Sequence, residues 1–166
     1  ETINDFFNSS TVKEIIGKKG HADVVTANNV FAHVDNISEF MENVRSLLKR
    51  DGIFVIEIQY LVDMIEKMTF DNIYHEHLSY FTLTSLLNFF KRHNMEVFNA
   101  QRVDSHGGSL KVFIKKPEGK FKINSEVNEI MEYEKNLGVD NLELYRKFAD
   151  NVYSTKRKLV EKIKSI

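Results

Sequence analysis

The segment Tyr74-His75-Glu76-His77 concentrates proton-transfer groups at one point of the chain. Five of the next nine residues, 78–86, are Leu, Tyr or Phe, so these polar groups are expected at the edge of a buried region. A neutral imidazole has an ordinary pKa of about 6.5 and accepts a proton near neutral pH, and an adjacent carboxylate can orient it. The segment is therefore a candidate for acid–base chemistry. The spacing leaves open that both histidines merely flank a strand or helix and that Glu76 faces solvent.

The composition is that of a folded domain with one core. The chain has 166 residues, of which 42% are hydrophobic and 28% charged, which excludes intrinsic disorder. A net charge of -1 gives no overall attraction to nucleic acid or to anionic lipid, and no apolar run approaches the roughly 20 residues of a membrane span. The absence of cysteine excludes a disulfide framework and a thiolate metal site, and with no leader pattern at the first residues it predicts a cytoplasmic protein.

The first half of the chain predicts an α/β unit. A helix over residues 10–16 precedes a β-branched run at 22–26, which we interpret as a buried parallel strand. Apolar residues then recur at helical spacing between 36 and 48, and the helix is expected to end at Asp51-Gly52. A second buried strand follows at 52–58, so strand, helix and strand form one crossover unit.

The second half predicts further helices and a hairpin. Residues 62–68 and 82–94 have helical patterns, and residues 96–103 and 109–114 read as strands joined by the glycine-containing loop at 104–108. From residue 125 onwards the pattern is helical, with an interruption at 138–140 that predicts two helices. The apolar stripe of the second helix requires cover from the core or from another chain, and ordinary packing or self-association is favoured over a dedicated partner helix.

Three segments carry a resemblance to a known family: TANNVFAHVDN from Thr26, FDNIYHEHLSYFTL from Phe70 and HGGSLKVFI from His106. Together they resemble the S-adenosylmethionine-dependent sugar C-methyltransferases, which act on nucleotide-linked ketosugars. The resemblance runs over about residues 22–115. It implies a partial Rossmann-like class I methyltransferase sheet, the C-terminal half of that domain, over residues 1–116, followed by a helical connector or tail over residues 117–166.

The resemblance also implies roles for individual residues. His77 matches the general base of the family, with Glu76, Tyr74 and His33 lining the same ketosugar pocket. His77 would remove a proton next to the ketone, Glu76 would hold and charge-stabilise the imidazole, and Tyr74 or His33 would donate to the enolate oxygen. His75 is expected to be a neighbour. No metal is expected, since the electrophile is already cationic and the histidines do not match a zinc-helix spacing.

Two polar segments complete the expected site. Asn28 and Asn29 follow a strand, where α/β sheets bind ligands, and the resemblance places them beside the cofactor; they are equally suited to a simple turn. Ser105, His106, Gly107 and Gly108 would approach the nucleotide-sugar, although a plain hairpin turn explains them as well.

One departure from the family pattern is large. No glycine-rich loop and no acidic ribose contact are found before residue 22, and the family's cysteine-rich zinc-binding region and second α/β domain are missing. The chain is therefore expected to be a fragment with an incomplete cofactor pocket and no activity alone. An open sheet edge and the helical tail predict self-association.

Two other functions stay open on the sequence. A non-catalytic helical assembly module with an α/β core predicts that His33, Tyr74, Glu76 and His77 are scattered. A metal-dependent hydrolase using His75, Glu76 and His77 is disfavoured, because residues 75 and 77 would face opposite ways in an extended segment.

Overall fold

A four-stranded mixed sheet forms the centre of the protein in a computed structural model that describes residues 1–166. The strands are β1 (Ala22–Asn28), β2 (Leu48–Gln59), β3 (Glu96–Val103) and β4 (Ser109–Lys115), in the order β1-β2-β4-β3. β1 pairs parallel with β2, whereas β4 pairs antiparallel with both β2 and β3. The predicted α/β fold is confirmed, and the hairpin strands lie within one residue of their predicted bounds.

Six helices accompany the sheet: α1 (Ser9–Lys19), α2 (Ile37–Leu47), α3 (Leu61–Lys67), α4 (Leu83–Arg92), α5 (Ser125–Leu137) and α6 (Leu142–Lys164). Short 3-10 turns occupy Phe31–His33, Phe70–Asn72 and Ser105–Gly107. Side chains of Asn36 and Thr82 cap the first turns of α2 and α4, as helix starts require. Gly138 ends α5 with left-handed backbone angles, which separates the two predicted C-terminal helices.

Phe31 is the centre of an aromatic cluster between the sheet and the helices. It is fully buried, and its ring centroid lies between 5.4 and 6.4 Å from those of Phe40, Phe54, Phe81, Phe89 and Phe90. Such aromatic contacts add to the hydrophobic free energy of burial. Because Phe31 opens the 3-10 turn that ends at His33, the core fixes the position of this histidine.

The prediction that β1 is a buried strand is wrong in its burial, although the parallel pairing is right. Ala27 is the one buried residue of β1, and Val24 is 54% exposed. β1 is an edge strand that pairs with β2 alone, so one side of its backbone and most of its side chains lack a covering layer.

The predicted end of the second helix at Asp51-Gly52 is also wrong. α2 ends at Leu47, and β2 begins at the next residue. The pairing register then shifts between Ala22 and Val24, and Gly52 lies in this irregular stretch of β2. A Cβ atom on Gly52 would lie 2.8 Å from the carbonyl oxygen of Ala22, so the glycine permits close approach of the two strands instead of ending a helix.

Glu134 of α5 is a fully buried carboxylate that joins three parts of the fold. Its Oε1 accepts hydrogen bonds from the Tyr60 hydroxyl at 2.9 Å and from the Leu83 N–H at 2.5 Å. Its Oε2 accepts from the Thr84 N–H at 2.8 Å and the Thr84 hydroxyl at 2.6 Å. The carboxylate therefore satisfies the free N–H groups at the start of α4, where negative charge is favoured. Burial, together with this neighbouring carboxylate, raises the pKa of Tyr60.

Arg102 of β3 contacts both α3 and α5. It donates to Asp63 at 2.8 Å and Glu66 at 2.9 Å, both on α3. Its guanidinium lies 5.4 Å from the ring centroid of Tyr60 and 5.0 Å from that of Tyr133 on α5, which favours cation–π attraction. Together with Glu134, it holds α5 against α3 and the sheet.

The long helix α6 has no buried residue. Of its predicted apolar stripe, Leu144, Tyr145, Phe148 and Val152 are partly covered, whereas Leu159 and Ile163 are 58% and 61% exposed. None of the helices has the length and apolar character needed to cross a bilayer.

We expect Glu134→Ala to lower the free energy of unfolding by about 3 kcal/mol, because the substitution leaves buried N–H groups without an acceptor. Urea unfolding followed by circular dichroism measures the change. Glu132→Ala is the matched control, since Glu132 is an exposed residue of the same helix. Equal effects of the two substitutions would contradict the structural role of Glu134.

Candidate active site

A cavity of about 190 Å³ lies beyond the carboxyl ends of β1 and β2. This edge of a parallel strand pair is where α/β sheets bind ligands. None of its lining residues is Asp, Glu, Lys or Arg, so the cavity is polar but carries no permanent charge. The lining residues are Asn29, Ala32, His33, Ile58, Gln59, Asn72, Tyr74, His77 and His106.

His33 is held by a main-chain contact with the segment that carries the other candidate residues. Its Nδ1 lies 2.7 Å from the carbonyl oxygen of Glu76. A carbonyl only accepts hydrogen bonds, so the hydrogen bond assigns the proton to Nδ1. The neutral ring of His33 then has an unprotonated Nε2.

His77 is held in the same tautomer by a different carbonyl. Its Nδ1 donates to the carbonyl oxygen of Asn72 at 2.8 Å, which leaves Nε2 as the basic nitrogen. The Tyr74 hydroxyl donates to this Nε2 at 3.2 Å. The ring centroids of His77 and His33 are 4.9 Å apart, so the predicted residues His33, Tyr74 and His77 converge on one cavity.

Glu76 contributes its backbone instead of its side chain. The carboxylate is 61% exposed, and its Oε1 lies 4.0 Å from His75 Nε2. The expected contact between this carboxylate and the His77 ring is absent, and the Asn72 carbonyl orients the imidazole in its place. The side chain of His75 is 90% exposed.

The two asparagines after β1 occupy different surroundings. Asn29 lines the cavity, with a left-handed φ of 53° and its N–H donating to the Glu57 carbonyl at 2.7 Å. Asn28 is the last residue of β1, pairs with Glu57 in the sheet and does not line the cavity. Asn29 and His106, which has a φ of 51°, are the two of the four non-glycine residues with positive φ that line the cavity; such residues cluster at functional sites.

Of the four loop residues from Ser105 to Gly108, His106 alone lines the cavity. The Ser105 hydroxyl donates to Glu57 Oε1 at 2.6 Å, and this bond, with the Lys111 ammonium at 3.1 Å, lowers the pKa of Glu57. Gly108 has a φ of 129°, and a Cβ atom there would lie 2.4 Å from the Cβ of Asp63. Ser105 and Gly108 therefore shape the loop that presents His106.

Two polar lining residues, Gln59 and Asn72, are not among those predicted from the sequence. Gln59 ends β2, so the rule that selected the asparagines after β1 applies to it as well. Asn72 acts at His77 through its main-chain carbonyl, which no side-chain pattern can indicate. No cluster of three or more His, Asp or Glu side chains is arranged to share a metal ion.

Comparison with known families covers nearly the whole chain. Residues 2–100 match a family described as a methyltransferase domain, and residues 104–166 match one described as a C-methyltransferase C-terminal domain. The chain belongs to the S-adenosylmethionine-dependent C-methyltransferase family. The junction of the two matched regions falls at the end of β3, so β4, α5 and α6 belong to the second.

A curated relative of this C-methyltransferase chain is the C-methyltransferase NovU of Streptomyces niveus. The two are 34% identical over 166 residues, which is all of this chain and 40% of NovU. The chain therefore spans less than half the length of that relative.

Solved structures show the fold. A SAM-dependent methyltransferase from Anabaena variabilis has a TM-score of 0.51 and 13% identity, with 69% of this chain and 57% of that chain covered. The 1,6-didemethyltoxoflavin-N1-methyltransferase of Burkholderia thailandensis, solved with S-adenosylhomocysteine, has a TM-score of 0.45 and 21% identity over 57% of this chain and 43% of that one. The similarity to the Anabaena variabilis structure places the sheet of this chain among methyltransferase folds.

We expect Gly108→Ala to destabilise the chain by about 2 kcal/mol or more, because its Cβ would collide with Asp63 and its φ is unfavourable for alanine. Thermal unfolding measures the effect. Gly17→Ala is the matched control: Gly17 lies within α1, its Cβ would meet no atom within 4 Å, and alanine should stabilise the helix by about 0.5–1 kcal/mol. A Gly108→Ala variant as stable as the wild type would refute the close approach.

Proposed function

We propose that this chain supplies the acceptor side of an S-adenosylmethionine-dependent C-methyltransferase that acts on a nucleotide-linked ketosugar. The observation that carries the proposal is the convergence of His33, Tyr74 and His77 at one cavity, with His77 Nδ1 bound to a main-chain carbonyl and its Nε2 beside the Tyr74 hydroxyl. Enolisation of a ketone needs a base that removes a proton and a donor that forms a hydrogen bond to the enolate oxygen. The same convergence supports an enzyme over a helical assembly module, which predicts scattered residues.

The cavity fits part of an acceptor better than a whole cofactor. Its volume of about 190 Å³ is below the roughly 300–1,000 Å³ of small-molecule sites, and its walls have no charged side chain. Hydroxyl and carbonyl groups of a sugar ring suit such walls, whereas a diphosphate does not. The residues present do not enclose a nucleoside, so we propose that Asn29 borders the cofactor and that further chain completes its pocket. We therefore expect this chain alone to be inactive.

His77 is the proposed base. Its Nε2 takes the proton from the carbon next to the ketone, and the electron pair of that C–H bond moves to give an enolate with its charge on the ketone oxygen. The Asn72 carbonyl, which already accepts from Nδ1, stabilises the resulting imidazolium through a charge-assisted hydrogen bond. The cofactor of such enzymes supplies a methyl group on a cationic sulfur, which a carbon nucleophile accepts.

Tyr74 is the proposed donor to the enolate oxygen. Its hydroxyl occupies His77 Nε2 in the free protein and becomes available when that nitrogen takes the substrate proton. Neutral His33 cannot donate from Nε2, because its proton is on Nδ1. The resemblance left open whether Tyr74 or His33 donates to the enolate oxygen, and we assign this role to Tyr74. His33 shapes the cavity and binds the main-chain carbonyl of Glu76.

We expect His77→Gln in the full-length protein to lower the rate of methyl transfer by at least about 100-fold, the usual contribution of a general base. Binding of S-adenosylhomocysteine, measured by calorimetry, should be unchanged. His75→Gln is the control, because its side chain is 90% exposed, and it should retain the wild-type rate. Full activity of His77→Gln would remove it as the base.

We also propose that the enzyme is cytoplasmic. We further propose that the chain alone self-associates, through the β1 edge, the helical tail or both. Exposed apolar side chains at Leu159 and Ile163 support the helical route. Light scattering at micromolar concentration should give a mass above the 19.4 kDa of one chain, and the double substitution Leu159→Lys, Ile163→Lys should lower it. A monomeric wild-type chain would refute self-association.

A further inference from the structure

Gln59 lines the proposed acceptor cavity and has an amide oxygen without a hydrogen-bond partner. Its amide oxygen Oε1 is buried and has no hydrogen-bond donor. Four buried side-chain polar atoms lack a partner, on Asn43, Gln59, Thr69 and Asn99, and Gln59 is the one of these residues that lines the cavity. An unpaired buried polar atom costs about 1–3 kcal/mol, so it is a candidate for a role in binding.

The backbone around Gln59 is rigidly placed. Gln59 ends β2 and pairs with Ser109 of β4, and the next residue, the buried Tyr60, donates its N–H to the Gly108 carbonyl at 3.2 Å. The Tyr60 hydroxyl is bound by Glu134. Sites built on such fixed strands hold a ligand more accurately than sites on loops.

The cavity chemistry indicates what the amide would bind. The other polar lining groups are the imidazoles of His33, His77 and His106, the Tyr74 hydroxyl and two asparagines, none of which carries a permanent charge. Both His33 and His77 have their Nδ1 protons committed to carbonyls, so neither offers that proton to Gln59. Gln59 lines the cavity, but its amide oxygen is enclosed by protein in the free structure. A turn of the amide about its terminal side-chain bond brings this oxygen into the cavity, where it accepts from a ligand O–H group.

We propose that Gln59 is an acceptor-binding residue that determines specificity by accepting a hydrogen bond from a hydroxyl of the sugar ring. This inference rests on the proposed function. It adds a contact beside the reacting carbon that enforces a requirement for a hydroxylated acceptor, since an acceptor without that hydroxyl would leave the amide unpaired.

The test is Gln59→Met in the full-length protein, because methionine has similar length and no hydrogen-bonding amide. Steady-state methyl transfer is measured with a thymidine-diphosphate-linked 4-keto-6-deoxyhexose as acceptor, together with the thermal midpoint and the S-adenosylhomocysteine affinity. We expect kcat/KM for the acceptor to fall roughly tenfold, with cofactor affinity unchanged and a midpoint equal to or above the wild type. A purely structural role for Gln59 predicts a lower midpoint instead.

Gln101→Met is the matched control, since Gln101 is an exposed residue of β3 outside the cavity, and it should leave all three measurements unchanged. Gln59→Leu repeats the test if Gln59→Met does not fold. If the wild-type protein is active and the Gln59 variants have the same kcat/KM for the acceptor, the proposed role of Gln59 is overturned and the proposed function stands. Absence of methyl transfer by the wild-type protein on nucleotide-linked ketosugars would overturn the proposed function and this inference with it.

Discussion

One buried carboxylate, Glu134, holds both ends of the segment on which the candidate site depends. It binds Tyr60, where β2 ends, and the first N–H groups of α4, at Leu83 and Thr84. The chain between these two anchors carries Asn72, Tyr74 and His77. An ionised group without water must be satisfied by hydrogen bonds, and four donors meet this need here. The irregular segment that carries Tyr74 and His77 is therefore a loop whose two ends are both held by Glu134.

Within that loop, main-chain carbonyls do the work that a carboxylate does in many acid–base sites. The carbonyls of Asn72 and Glu76 select, for the neutral rings of His77 and His33, the tautomer that has its proton on Nδ1. A carbonyl orients an imidazole without adding a full negative charge to the cavity. A neutral base beside neutral walls suits a reaction in which charge develops on the substrate oxygen.

The sequence predicted what periodicity and local chemistry determine. The helices α2 and α4, the strands β3 and β4 and the separation of α5 from α6 follow from apolar spacing, caps and glycine positions. The exposure of β1 could not be predicted in this way, because it depends on which other elements cover the strand. Glu134 caps α4 from a distance in sequence, since it lies 51 positions after Leu83 and 50 positions after Thr84. In the sequence it is one of several glutamates of a charged helix, and nothing distinguishes it as a buried residue. The resemblance predicted that His33 and His77 converge. The main-chain carbonyls that orient the two rings can be identified only in the three-dimensional structure.

The Glu134 contacts also cross the junction between the two matched family regions. Glu134 lies in the C-methyltransferase C-terminal domain, while Tyr60, Leu83 and Thr84 lie in the methyltransferase domain. Family boundaries at residues 100–104 therefore do not mark a unit that can be exchanged. A chimera joined there would place a foreign helix beneath α4, whereas a junction after α5, at the Gly138 turn, keeps Glu134 in the same chain segment as its hydrogen-bond partners.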